Sequence, residues 1–203
     1  MPLLALDGWI GQWSPGIGDP TVAGWVTVAA YFAAAATCWC ARSQARRERA
    51  QGAGHASSRF WAAASVGLAA LGINKQLDLQ TALTELGRVL ARGQGWYEHR
   101  RVVQLAFILI VLSVVAVACR WLFRAAREDL SRLWLAMVGA AALCGFVAIR
   151  ATSFHHVDVC LWVDLFCGLR MNVLLELSGI FCVGVSALRF GPAQVAESRE
   201  GRE

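Results

Sequence analysis

Charged residues are scarce in this sequence. Only 16% of its 203 residues are Asp, Glu, Lys or Arg, whereas 57% are hydrophobic. The apolar residues occur in long blocks rather than in the alternating pattern of a half-buried strand. This composition excludes a single water-soluble core and indicates an integral membrane protein.

Two further absences narrow the class of protein. The net charge of +5 comes from eighteen arginines and one lysine against fourteen acids, but no stretch combines a basic face with interleaved aromatic residues. We therefore expect no nucleic-acid partner and interpret the arginines by their side of the membrane. The first twenty residues hold two acids and no base, unlike the basic start of a secretory signal. We interpret residues 1–20 as an external tail.

The seven cysteines lack the CxxC spacing that is typical of zinc sites. Five of them lie inside apolar blocks, where cysteine behaves as a small core residue. Cys160 and Cys167 fall in a segment that we place outside the membrane. A disulfide is allowed there, but we favour two free thiols.

Five apolar blocks predict an all-α bundle of five membrane-crossing helices. Four of these blocks approach the roughly 20 residues that cross about 30 Å of hydrocarbon, at residues 21–41, 102–119, 133–149 and 173–188. The fifth, residues 60–73, is shorter but continues without proline into NKQLDL. That helix can finish its crossing with polar residues at its far end, so the predicted membrane domain covers residues 21–190.

The arginines indicate the direction of the chain. Twelve basic residues follow the first, third and fifth blocks, seven follow the other two, and the first twenty residues carry none. Because cytoplasmic loops hold an excess of Lys and Arg, we predict an external N-terminus and a cytoplasmic tail at residues 191–203. The predicted location is the bacterial inner membrane.

Two segments between the blocks have contrasting patterns. Leucines and one alanine recur at helical spacing at positions 79, 82, 83, 86 and 90, which predicts an interfacial helix between spans two and three. Residues 42–59 are small, polar and charged, and we expect them to form a flexible loop.

Polar side chains of four predicted helices fall at one depth. At about 1.5 Å of rise per residue, the deepest lie roughly 20 to 27 Å from the inner arginines. We predict that this polar layer lies on the bundle axis, with Asn74 and Asp78 sharing one helical face. Its binding residues are Asn74, Lys75, Asp78, Arg100, Arg101, Gln104, Arg150, Arg170, Asn172 and Glu176.

Two interpretations of the polar layer stay open. In the first, Lys75 or an outer arginine pairs with Glu176, the deepest acid, because a charge at the centre of a membrane helix costs roughly 2.5 to 3.5 kcal/mol. The layer is then a structural lock. In the second, it lines a pocket that is open to the outer face. An excess of bases over acids would favour an anionic headgroup, a phosphate or a carboxylate there.

The segment RATSFHHVD, residues 150–158, lies at the mouth of the polar layer. His155 and His156 diverge by about 100° on a helix, so we do not expect them to share a metal ion. Asp158 can orient an imidazole, which makes His155 or His156 a candidate general base and all three candidate catalytic residues. The alternative is a helix cap with structural histidines. The spacing defines no metal site and identifies no cofactor.

Three stretches carry a resemblance to known proteins. GINKQLDLQ, GWYEHRRVVQ and RATSFHHVD resemble a family of small bacterial multipass membrane proteins over spans two to five. The resemblance implies a bacterial membrane location and brings no activity or site. The serine, histidine and aspartate also resemble ceramidase-type membrane hydrolases. That pattern has more histidines on separate helices and typically seven spans, so its mechanism is not carried over.

The sequence therefore favours an inner-membrane protein whose polar, net basic outer site binds an anionic lipid headgroup or a membrane partner. One alternative is an interfacial hydrolase or transferase for a lipid-linked substrate, with the His/Asp pair as base and Arg150 or Arg101 holding the anion. Another is an accessory subunit whose alanines at 33–36 and 140–142 contact a second membrane protein. Whether any reaction is catalysed does not follow from the residues.

Overall fold

The described part of the chain is helical apart from one short strand pairing. The computed structural model describes residues 13–14, 20–51, 57–93, 100–152, 164–165 and 169–190. The helices are α1 (Val22–Ala50), α2 (Ser57–Leu77), α3 (Leu79–Gly93), α4 (Arg100–Ala126), α5 (Leu130–Thr152) and α6 (Met171–Phe190). A single 3-10 turn, Arg127–Asp129, joins α4 to α5. The strands β1 (Asp164–Leu165) and β2 (Leu169–Arg170) pair antiparallel.

The helices match the predicted apolar blocks. The five blocks coincide with α1, α2, α4, α5 and α6, and the predicted interfacial helix is α3. On α3, Leu83, Leu86 and Leu90 are exposed while Ala82 is buried. The all-α prediction is thus confirmed for the helices, and the pairing of β1 with β2 is its one departure in the described ranges.

Helix α1 begins at a cap and runs further than predicted. The Thr21 hydroxyl accepts a hydrogen bond from the backbone N–H of Gly24 at 3.1 Å, which satisfies one of the free N–H groups of the first turn. The helix then continues to Ala50, through nine residues that were assigned to a flexible loop. That assignment was wrong because Ala, Arg, Gln and Glu are strong helix formers and no Gly or Pro interrupts them. Burial of Ala45 against the core adds to this.

The five long helices form a closed ring. α1 packs between α2 and α6, α5 packs on the other side of α6, and α4 packs against α5 and contacts α2. The interior holds Tyr31, Leu68, Leu133 and Val183 among other buried residues. Small side chains on α1 allow its neighbours to approach closely.

Helices α5 and α6 cross at two glycines. A Cβ at Gly139 would lie 2.6 Å from the carbonyl oxygen of Gly179 and 2.9 Å from the Cβ of Cys182. A Cβ at Gly179 would lie 2.9 Å from the Cγ of Leu143. The two backbones therefore touch, which is the close packing that holds helices together in lipid.

Aromatic side chains fill the end of the bundle that carries the first residues of α5. Trp61 is fully buried, with ring centroids 5.1 Å from Phe60 and 5.5 Å from Phe190 in edge-on geometry. The Arg132 guanidinium lies 4.6 Å above the Phe190 ring and 3.5 Å from the Glu48 carboxylate. These contacts join α1, α2, α5 and α6.

The outward faces of the helices are apolar. On α4 the exposed side chains include Val102, Leu105, Leu109, Ile110, Val114, Val117, Trp121 and Phe123. By length and composition, two stretches of the described chain are apolar enough to cross a membrane, Val22–Ala50 and Leu105–Arg150. The sequence predicts five crossings, whereas length and composition of the described helices support two. The most apolar part of the second stretch has no buried residue, which is unlike the core helix of a water-soluble protein.

Candidate functional site

The carboxylate of Glu176 on α6 is the most deeply buried acid of the described chain. The residue is only 3% exposed. One carboxylate oxygen lies 2.7 Å from Lys75 Nζ on α2. The other accepts a hydrogen bond from the Tyr31 hydroxyl on α1 at 2.9 Å. Both oxygens thus have a donor, as a buried carboxylate requires.

The predicted ion pair between Lys75 and Glu176 is confirmed. The exposed fractions of the two side chains are 14% and 4%, so the pair is largely shielded from solvent. Removing two charges from water costs several kcal/mol per ion, and only close geometry with further hydrogen bonds compensates this cost. The short Lys75 contact and the Tyr31 hydrogen bond provide both.

Helical periodicity explains why these residues meet. Leu68 and Gly72 are buried and precede Lys75 by seven and three residues, so Lys75 emerges on the core face of α2. A Cβ at Gly72 would lie 3.1 Å from the Cβ of Tyr31. α1 and α2 therefore approach closely at this level, and the Tyr31 hydroxyl reaches Glu176.

The sequence prediction omits Tyr31. Its surroundings, VAAYFAAAAT, are otherwise apolar apart from Thr37. The local sequence therefore does not distinguish this tyrosine from the other residues of a membrane-crossing helix. The depth of Tyr31 in the membrane does indicate that it belongs with the polar layer. Counted from Arg42, Tyr31 lies about 17 Å into the membrane, close to the roughly 20 Å of Glu176 from Arg189.

Arg150 on α5 adds a second positive charge to this region. It lies within electrostatic range of the Tyr31 hydroxyl, and the residue is exposed. We define the polar cluster as Tyr31, Lys75, Arg150 and Glu176, which come from four different helices.

Two predicted residues are not part of the polar cluster. Asn74 is exposed, because Lys75 takes the core face and neighbouring residues point about 100° apart on a helix. Asp78 follows the end of α2 at Leu77 and has a φ of 46°, in the left-handed region. Its carboxylate accepts a hydrogen bond from the Thr81 hydroxyl at 2.6 Å. The expected helical face shared by Asn74 and Asp78 is therefore wrong.

The other predicted site residues lie outside the description. Side chains are not described for Arg100, Arg101, Gln104, Arg170 and Asn172, whose backbones belong to α4, β2 and α6. The candidate catalytic residues and the outer cysteines fall wholly outside the described residues, at His155, His156, Asp158, Cys160 and Cys167. In the ranges that are described, no group of three or more His, Cys, Asp or Glu could hold a metal ion.

Trp13 lies at the same end of the bundle as the polar cluster. The indole N–H of Trp13 donates to the carbonyl oxygen of Leu77 at 3.3 Å. This contact satisfies one of the carbonyls that are left free at the end of α2. Trp13 therefore lies beside the last turn of α2, which carries Lys75.

Comparison of the chain with protein-family models, with curated proteins and with solved structures finds no match. A carboxylate with both oxygens engaged is poorly suited to act as a base. A guanidinium can hold a phosphate or a carboxylate through two parallel hydrogen bonds.

Proposed function

We propose that the chain is an integral protein of the bacterial inner membrane in which α1, α2, α4, α5 and α6 all cross the bilayer. The apolar outer surface supports this proposal, since water-soluble proteins rarely expose contiguous apolar patches of more than a few hundred Å². Leu105–Arg150 has 46 residues. As one straight helix it would extend about 70 Å, more than twice the hydrocarbon thickness.

The stretch Leu105–Arg150 is better explained as two crossings. The turn Arg127–Asp129 interrupts it, and α4 packs against α5. Packing of two helices that are joined by so short a turn requires α5 to fold back along α4. The remaining helices α2 and α6 have 21 and 20 residues, long enough to cross about 30 Å. Their buried charges neutralise each other, which lowers the cost of placing both in lipid.

We expect the two ends of the chain to lie on opposite sides of the membrane. A reporter that is active only outside the cytoplasm should give a signal when fused before Met1 and none when fused after Glu203. Fusions within residues 94–99 and 52–56 serve as external and cytoplasmic controls. Signals at both ends would contradict an odd number of crossings, and a signal only after Glu203 would contradict the orientation.

The function that we propose is binding of an anionic lipid headgroup at the outer face. The polar cluster forms the deepest part of this binding site. The observation that carries this proposal is the position of Arg150. Arg150 is exposed and lies near the Tyr31 hydroxyl, while the Glu176 carboxylate is paired with Lys75 at 2.7 Å. A planar guanidinium can hold a phosphate through two parallel hydrogen bonds.

Arg150→Gln should weaken binding of phosphatidylglycerol at the outer site about tenfold, since a hydrogen bond to a charged group contributes roughly 1.5 to 3 kcal/mol. The affinity of Arg150→Lys should lie between those of the unchanged protein and Arg150→Gln, because lysine keeps the positive charge but lacks the planar guanidinium. Native mass spectrometry of the purified full chain, titrated with this lipid, measures the affinity. Arg59→Gln, an exposed arginine at the other end of α2, is the matched control. Unchanged binding by Arg150→Gln would exclude this function.

A second candidate function, accessory subunit of a membrane complex, is favoured by one face of α5. Ala141 and Ala142 are exposed, and a Cβ at Gly145 would meet nothing within 4 Å. Small residues on a lipid-facing surface allow another helix to approach closely. The same native mass spectra distinguish this function from lipid binding, because a co-purified subunit adds the mass of a protein and a lipid does not.

A further inference from the structure

A cavity opens between α5 and α6 at the end of the bundle opposite the polar cluster. Its volume is about 190 Å³, far above the roughly 15 Å³ that a single water needs. Its lining includes Arg132, which precedes Arg150 by 18 residues on α5 and so lies about 27 Å from the polar cluster along the helix. The arginine distribution assigns this end to the cytoplasmic leaflet.

Two arginines make the cavity positive. Arg132 is held by the Phe190 ring and the Glu48 carboxylate, so its position is defined and part of its charge is compensated. Its guanidinium has five N–H donors, and one contact with Glu48 leaves others available. Arg189 is exposed and forms no ion pair with an acid of the described chain. The lining therefore carries excess positive charge.

A buried hydroxyl completes the polar part of the lining. Ser186 is only 4% exposed and lines the cavity, yet its hydroxyl makes no hydrogen bond to another described residue. The hydroxyl is therefore available to a molecule that enters the cavity. Serine supplies one donor and can accept as well.

The rest of the lining is apolar and continues toward lipid. Trp134 and Leu135 follow Arg132 on α5, and Trp134 is 58% exposed. Val138, one turn further along α5, is also exposed. Tryptophan is enriched at the headgroup level of membranes. A ligand of this cavity thus meets positive charge at one end and an apolar surface at the other.

We infer that the cavity binds the phosphate of an anionic phospholipid from the cytoplasmic leaflet. Arg132 and Arg189 donate to the phosphate oxygens, and the Ser186 hydroxyl donates to a third oxygen or to the linking ester. Basic pockets between membrane helices on the cytoplasmic side bind lipid headgroups in this way. This site is separate from the outer-face site and does not depend on it.

The test uses the full chain in a detergent micelle, titrated with phosphatidylglycerol or phosphatidylcholine and measured by native mass spectrometry. We expect a preference for phosphatidylglycerol that Arg189→Gln reduces roughly tenfold and Ser186→Ala reduces about threefold. Arg124→Gln is the matched control, since Arg124 is an exposed arginine near the same end of the bundle and does not line the cavity. Melting temperatures of all variants confirm that they fold.

The outcomes separate this cavity from other sources of binding. Loss of one bound lipid in Arg189→Gln, independent of the loss in Arg150→Gln, supports the proposal. Full preference for phosphatidylglycerol in both Arg189→Gln and Ser186→Ala would overturn it. Inorganic phosphate that binds with the same Arg189 dependence, without an advantage of phosphatidylglycerol over phosphatidylcholine, would assign the cavity to a free anion and overturn the lipid proposal.

Discussion

Lys75→Met should destabilise the bundle by about 3 to 5 kcal/mol, because the Glu176 carboxylate then stays buried without a positive partner. Glu176 is 3% exposed and cannot reach solvent without separation of the helices. The Tyr31 hydroxyl would still donate to it, but one hydrogen bond does not replace an ion pair at 2.7 Å. Chemical unfolding in detergent micelles, followed by circular dichroism, measures the loss.

The charge exchange tests whether pairing is the reason for this loss. Lys75→Glu combined with Glu176→Lys should recover much of the stability that either change alone removes. The Tyr31 hydroxyl can also accept from an ammonium, so the exchange keeps its contact. A double variant as unstable as either single variant would show that Lys75 does not act by pairing.

A more exposed ion pair and a single hydrogen bond provide the scale for comparison. Arg88→Met breaks the ion pair with Glu85 on α3, in which the Arg88 side chain is 41% exposed and the Glu85 side chain 10% exposed. Because one partner is close to solvent, this variant should cost less stability than Lys75→Met. Tyr31→Phe removes one hydrogen bond to a charged group and should cost about 1.5 to 3 kcal/mol.

Gly139→Val should destabilise the protein by about 3 kcal/mol, the upper range for overpacked cores. The first added carbon would lie 2.6 Å from the Gly179 carbonyl oxygen and 2.9 Å from the Cys182 Cβ. A backbone atom cannot rotate away, so α5 and α6 must move apart. Since Glu176 lies one turn from Gly179, we expect weaker anion binding as well. Unfolding by a denaturing detergent measures stability, and the lipid titration measures binding.

Gly145→Val makes the same chemical change on the same helix in open space. A Cβ at Gly145 would meet nothing within 4 Å. We expect a change in unfolding free energy within about 0.5 kcal/mol. Equal losses at Gly139 and Gly145 would mean that valine in α5, rather than the glycine crossing, causes the destabilisation.

The lock and the binding site proposed for the polar layer are compatible in this arrangement. Tyr31, Lys75 and Glu176 satisfy one another and tie three helices together. Arg150 is exposed and lies near the Tyr31 hydroxyl. If the charge exchange rescues stability and Arg150→Gln still removes lipid binding, the two roles belong to different residues of one cluster.

The location of every long helix could be predicted because it depends on local properties of the chain. An apolar block of about 20 residues must satisfy its backbone hydrogen bonds internally in lipid, and a helix does so. The same periodicity predicts the amphipathic α3. The error at residues 42–50 arose because polarity was interpreted as disorder, although those residues are good helix formers.

Composition and helical rise alone therefore determined the helices and the common depth of Lys75 and Glu176, because both depend only on position along one chain. Only the tertiary structure decided which helix faces meet. It placed Tyr31 against Glu176, directed Asn74 outward and moved Asp78 off the end of α2. It also brought Gly139 against Gly179. Contacts of this kind depend on the rotation and spacing of helices that are distant in sequence, which no local pattern specifies.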